Sequence, residues 1–217
     1  MKIQAITVGA CTYQKIKHDI IFGELEPGLK LKLDGLKARY QASLTTLREI
    51  LNRLASEGFV VAEEQRGFFV TQVSKSDLTE IANLRVLLEC HALDHSISQG
   101  DADWEGNLVA AHHKLHIAEK QMLDDENSSK ELWKRYDWEF HLALIQACNS
   151  SNLLSLHAIL FEKYMRYQML VLTNRDEKAV LDHRAIFDAA MARDSARAQT
   201  LLETHIITGL KYTLERM

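Results

Sequence analysis

A single proline in 217 residues, Pro27, leaves almost the whole chain free to be helical. Proline removes a backbone donor and breaks helices; glycine, which weakens them, occurs only nine times. Beyond residue 77 the apolar residues recur at three- and four-residue spacing. That spacing predicts helices over 77–98, 101–123, 129–148, 152–173, 176–192 and 194–215. Asp101, Ser128 and Asp194 stand where N-caps are needed. Six or seven antiparallel helices make an all-α bundle, and bundles form their ligand sites between facing helices.

The front of the chain has a different order. Tyr13, Ile16, Ile20 and Ile21 form one helix stripe, ended near Gly23, and Pro27-Gly28 marks a turn. A short second helix starts near Asp34 and covers Leu36 to Tyr40. The third follows Ser43 and runs to Glu57, with Leu47, Ile50, Leu51 and Leu54 inward and Gly58 as its stop. Phe59–Ala62 and Gly67–Val70 favour strands and are split by polar Glu63–Arg66, hence a hairpin. The fold class is therefore mainly α: a winged helix-turn-helix of three helices plus a β-hairpin over residues 1–72, a polar linker at 73–77, and a helical domain over 78–217.

Four helix positions in the back domain carry chemistry. On a helical wheel Trp133, Asp137, Phe140, His141, Leu144 and Cys148 share one face, so a carboxylate and an imidazole point where the packing points. A buried carboxylate needs a partner or a metal. His183 lies on a face with Ala179, Val180, Ile186, Phe187 and Ala190, and His205 with Ala198, Leu201, Leu202 and Tyr212. One Asp and three His aimed inward from three helices make a candidate metal site. Nitrogen-plus-carboxylate ligation suits Zn²⁺, Ni²⁺ or Mn²⁺ without choosing among them. The pairs His112/His116 and His91/His95 share their faces with Glu105, Glu119, Asp94 and Ser98, and read as solvated or half-buried surface.

Charge and composition exclude other classes. Residues 1–75 carry 11 Lys and Arg against 8 Asp and Glu, a net +3, while the remainder carries −7. A basic front on an acidic back fits a nucleic-acid reader joined to another module. No apolar run approaches the ~20 residues that span a bilayer, the N-terminus is too weakly apolar for a signal peptide, and Cys11, Cys90 and Cys148 form no Cys-x-x-Cys pair; a cytoplasmic location is expected. Phosphate-binding glycine loops and nucleophile elbows are absent from the sequence.

Ile21-Phe-Gly-Glu-Leu-Glu-Pro-Gly-Leu29, Ser43-Leu-Thr-Thr-Leu-Arg48 through Gly58-Phe, and Arg66-Gly67-Phe-Phe-Val70 together resemble the DNA-binding domain of GntR-family regulators. Leu84-Arg85-Val-Leu-Leu-Glu89, Asp137-x3-His141, the block starting at His183 and His205-Ile206 resemble the FCD ligand-binding domain of the FadR-type branch. The resemblance implies a homodimer on a double-stranded DNA operator with two-fold-related half-sites. It further implies a small organic acid, glutarate being the first choice, as effector beside a divalent metal. The implied metal ligands are Asp137, His141, His183 and His205. Leu44 stands where many relatives have Arg, so their operator sequence does not transfer; Asn149 replaces a frequent Gly and tolerates left-handed backbone.

Further roles follow from residue type and place. Arg85, inward among Leu78, Ile81, Ala82, Leu88 and Ala92, is a bidentate clamp for an effector carboxylate or a salt-bridge partner of Glu89. Arg166 is a second clamp candidate, and Tyr167, with Trp133, Trp138 and Phe140, core or pocket wall. Ser43, Thr45, Thr46 and Arg48 open the recognition helix, where base and phosphate contacts are made. Arg66-Gly67 tips the wing, and Lys32, Lys37, Arg39 and Arg53 suit phosphates. Two other readings of the metal stand beside effector binding: a hydrolase with an Asp/His₃ centre, and a purely structural ion in a DNA-binding protein.

Overall fold

A computed structural model describes residues 7–124, 129–171 and 177–217. The chain divides after Ser74 into two compact units.

The first unit begins with α1 (Val8–Ile21), capped by the Thr7 side chain. A two-residue strand β1 (Lys30–Leu31) leads into α2 (Leu33–Tyr40) and α3 (Leu44–Ser56). Ser43 caps α3, its hydroxyl accepting from the Thr46 amide at 3.1 Å. Gly58, at φ +82°, turns the chain out of α3 in a conformation that a side chain would strain. β2 (Val60–Glu63) and β3 (Gly67–Val70) then pair antiparallel, with Val60 opposite Val70 and Glu63 opposite Gly67. β1 adds to the free edge of β3, so the expected hairpin is a three-stranded sheet, β1-β3-β2. Two residues are too few to show a strand period, so sequence gave no sign of β1. Ile16, Ile20, Leu47, Leu51, Leu54 and Phe59 form the core.

The second unit is all helix: α4 (Lys75–Gln99), α5 (Ala102–Asp124), α6 (Lys130–Ile145), α7 (Ser151–Val171), α8 (Glu177–Met191) and α9 (Ser195–Leu214). α4 packs along α7 and α9, α5 lies against α6 and α8, and α8 lies against α9. α4 starts at Lys75, so the last three residues of the expected linker are helix. Asp101 and Asp194 cap α5 and α9, accepting from Trp104 and Arg197 amides. Ser129 caps α6. Ser128, expected there, lies outside the described residues, as do positions 172, 173 and 176 of the expected helices. α6 stops at Ile145 rather than 148, and Asn149 takes a left-handed φ of 56° before α7. The whole predicted face of α6 is buried. It looks into the interior of the unit, which α4, α8 and α9 close.

Candidate functional site

One helical turn on α6 separates Asp137 from His141, and α8 and α9 bring His183 and His205 against them. One ligand atom from each of the four lies within 4.8 Å of all the others. His183 Nε2 is 3.2 Å from Asp137 Oδ1 and 3.2 Å from His205 Nε2. The far nitrogen of each ring meets a carboxylate. His141 Nδ1 is 2.7 Å from Glu89 on α4, His183 Nδ1 is 2.6 Å from Glu119 on α5, and His205 Nδ1 is 3.6 Å from Asp182 on α8. A carboxylate on Nδ1 holds the proton there and turns the Nε2 lone pair to the centre. Asp137 is held likewise: its Oδ2 accepts from Lys134 Nζ at 2.8 Å, and Lys134 also donates to Gln168.

Burial strips water from these groups, and their neighbours decide which charges survive. Burial alone would raise the Asp137 carboxyl, but Lys134 and then His183 hold it well below the usual range. Glu89 is also buried, and Arg85, His141 and His157 keep it ionised. His205, buried beside His183, is pushed down to about 3, and burial lowers His141 despite Glu89. Both rings therefore keep a free lone pair near neutral pH. Burial would lower His183 too, yet the Asp137 and Glu119 carboxylates outweigh it and raise this ring. Three imidazole nitrogens and one carboxylate oxygen, with Asp137, His141 and His183 each braced at hydrogen-bond distance, form a donor set that fits a divalent transition metal.

A cavity of about 90 Å³ opens beside this cluster, room for several waters and so for a small acid. Arg85, Trp133, Lys134, Tyr164, Gln168 and Tyr212 line it together with the four candidate ligands. Arg85 forms the salt bridge with Glu89, Nε to Oε1 at 2.6 Å, while its guanidinium lies 4.2 Å from the Phe161 ring and 4.6 Å from that of Tyr164. Its Nη2 is buried without a hydrogen-bond partner. Tyr167 is core, and Arg166 is buried but away from the cavity. Neither lines the cavity, and the Tyr167 hydroxyl donates to Asp77 at 2.6 Å. On α7 it is Tyr164 and Gln168 that face the cavity.

His112 corrects the surface reading. It is buried and stacks on Phe187 at 4.2 Å, and the glutamate on its face, Glu119, is buried as the partner of His183. His116, His91 and His95 are exposed. Sequence reasoning therefore missed Glu89 as a histidine partner, and missed Glu119, Asp182 and Lys134 altogether. The only available signal was their spacing of three or four residues from inward-facing positions.

In the first unit, Lys37, Thr45 and Arg48 are exposed on α2 and α3. Gly67, at φ +95°, has open space where a side chain would be, and neighbouring Arg66 pairs with Glu63 and lies over Phe69. Lys32 is exposed as well. Four other expected DNA contacts have partners inside the unit. Ser43 and Thr46 share the α3 cap, and Arg39 donates to Asp19 at 2.6 Å. Arg53 stacks on Tyr13 and bonds Glu57.

A three-helix unit with a small winged sheet, joined to a helical unit that contains a cavity, is the architecture of a DNA-binding transcriptional regulator. Residues 10–70 match the bacterial regulatory proteins of the gntR family, and residues 80–208 match the FCD domain. The chain belongs to the GntR family of regulators, in the branch that carries an FCD domain. It is 37% identical to the HTH-type transcriptional regulator BphR of Paraburkholderia xenovorans, over 92% of this chain and 82% of that protein. It is 29% identical to the HTH-type transcriptional repressor GlaR of Escherichia coli, over 94% of this chain and 95% of that one. The fold is that of Escherichia coli McbR/YncC, with a TM-score of 0.81 at 20% identity over 97% and 98% of the two chains. This membership sets the hydrolase reading aside. Among the described residues no helix is long and apolar enough to cross a membrane.

Proposed function

We propose that the protein is a transcriptional repressor that binds a two-fold operator as a homodimer and leaves it when a small dicarboxylate enters the metal-bearing cavity. Asp137, His141, His183 and His205 would hold a Zn²⁺, Ni²⁺ or Mn²⁺ ion. Such an ion, when bound, supplies positive charge and open positions for a carboxylate. The observation that carries the reading is the Nη2 of Arg85, a buried donor without a partner at the cavity wall. A buried donor of this kind is costly unless a ligand satisfies it, and a carboxylate is its natural acceptor. A five-carbon diacid can place one carboxylate at the ligand cluster and the other at Arg85. Glutarate is the first choice, from the resemblance in the sequence. Repression rather than activation is the sense carried by the name of the relative GlaR. Release requires that the acid bind the DNA-free arrangement better than the DNA-bound one.

Calorimetry on zinc-loaded protein with glutarate and valerate tests the two-ended site. Valerate leaves Arg85 unmatched, which costs about 1–3 kcal/mol, so glutarate should bind roughly 5- to 150-fold more tightly. Equal affinities would remove the clamp. Operator release by glutarate, followed by fluorescence anisotropy, tests the regulatory sense. His183→Ala should abolish both zinc retention and that release. Retention of zinc and release in this variant would leave the metal structural or located elsewhere.

A further inference from the structure

Glu89, the salt-bridge partner of Arg85, touches both halves of the site. It is fully buried on α4, one turn from Arg85. Its Oε1 accepts from Arg85 Nε at 2.6 Å and lies 3.1 Å from His157 Nε2. Its Oε2 lies 2.7 Å from His141 Nδ1. Glu89 is the one hydrogen-bonded acceptor of Arg85 among the described residues, and the Phe161 and Tyr164 rings hold the rest of the guanidinium. We infer that Glu89 is a positioning residue for metal and acid at once, one oxygen fixing the tautomer of His141 and the other the direction of Arg85. The inference rests on the cavity being the metal and acid site proposed above.

A carboxylate can do both because it only accepts. Glutamine at this position presents one acceptor and one donor. If its oxygen serves Arg85, its amide faces His141 Nδ1, which must give up its proton to accept. The proton then moves to Nε2 and blocks the lone pair that a metal needs. If instead the oxygen serves His141, the amide faces the Arg85 Nε–H, and two donors push the guanidinium from its place. Glu119 supplies the contrast: it braces His183 at 2.6 Å and is no hydrogen-bond partner of Arg85.

Zinc affinity, measured by competition with a chromophoric chelator, and glutarate affinity at saturating zinc separate the two roles. Glu89→Gln should weaken zinc roughly 10- to 100-fold. It should also weaken glutarate at saturating zinc by about 10-fold, the loss expected when a charged hydrogen bond is misdirected. Glu119→Gln should weaken zinc comparably and leave glutarate at saturating zinc unchanged. A general loss of packing would weaken glutarate in both variants alike, and that result would overturn the inference. In zinc-loaded wild-type protein, ¹⁵N NMR of the histidine rings should place the His141 proton on Nδ1. This arm needs no variant to fold, and a proton on Nε2 overturns the assignment. If the wild type binds zinc and glutarate while Glu89→Gln binds glutarate equally well, only this inference falls. If the wild type binds neither, the functional reading falls and takes the inference with it.

Discussion

Glu57 shows how much one carboxylate can organise. It sits at the end of α3, where the Tyr13 hydroxyl donates to it at 2.6 Å, Lys17 lies at 2.9 Å and Arg53 donates at 3.2 Å. Partial burial would raise its carboxyl, but Tyr13, Lys17 and Arg53 together lower it. A depressed carboxylate stabilises the fold above the ordinary carboxylate range and loses that contribution as the pH falls through its lowered value. Glu57→Gln should therefore cost about 1–3 kcal/mol at neutral pH, and the gap to wild type should narrow on acidification. Denaturant melts across that range check it; a gap that stays constant with pH would show that the ionised form is not what stabilises the fold. Residues of this kind mark the limit of what a sequence shows. Asp137, His141, His183 and His205 were legible because each stands out against an apolar face. Glu89 and Glu119 were not, because a glutamate on a helix looks like solvated surface until the histidine opposite is known. The misreading of His112 has the same cause: its neighbour Glu119 signalled water, whereas it meets His183.

Elements were legible wherever a period ran for three turns or more. α3 follows its Leu47, Ile50, Leu51, Leu54 stripe from a serine cap to a glycine stop, and the buried face of α6 is the one the wheel selected. The limits appear where no period exists. β1 has two residues, and the linker reads as polar coil up to Asp77 although α4 has begun at Lys75. Turns between helices can also be tied in ways composition hides. Arg193, at φ 59° in the turn before α9, donates to the carbonyls of Ile97 and Gly100 at the end of α4. It also meets Glu105 and lies over Trp104 on α5. The last carbonyls of α4 lack intrahelical donors, so this side chain serves as their cap. Arg193→Ala should destabilise the second unit by about 1–3 kcal/mol without altering zinc affinity. Arg193→Lys should recover only part, since one ammonium cannot reproduce the guanidinium fork. An unchanged melting midpoint for Arg193→Ala would show that solvent replaces those bonds without loss.

At the scale of the molecule, charge and fold divide the work. The winged-helix unit carries a net +2 and the helical unit that contains the cavity a net −6, so long-range electrostatics favour the first unit rather than the second at DNA. Within the first unit the structure separates cations that are exposed from those engaged internally, and each group predicts a different outcome. Lys37 is exposed on α2, and its replacement by alanine should weaken binding to any DNA equally and lower the salt slope by about one. Arg48 is exposed on the first turns of α3; as a proposed base contact, its replacement by alanine should cost about 1–3 kcal/mol on the operator and much less on unrelated DNA. Arg53 should behave as neither. Its guanidinium stacks on Tyr13 at 3.9 Å and bonds Glu57, so Arg53→Ala should lower thermal stability while leaving the salt slope of the surviving folded protein unchanged. Salt-dependent anisotropy titrations with operator and scrambled duplexes compare all three variants. Equal losses on both duplexes for Arg48→Ala would make it a phosphate contact. A slope change for Arg53→Ala would mean that this side chain leaves Glu57 to reach the backbone when DNA is bound.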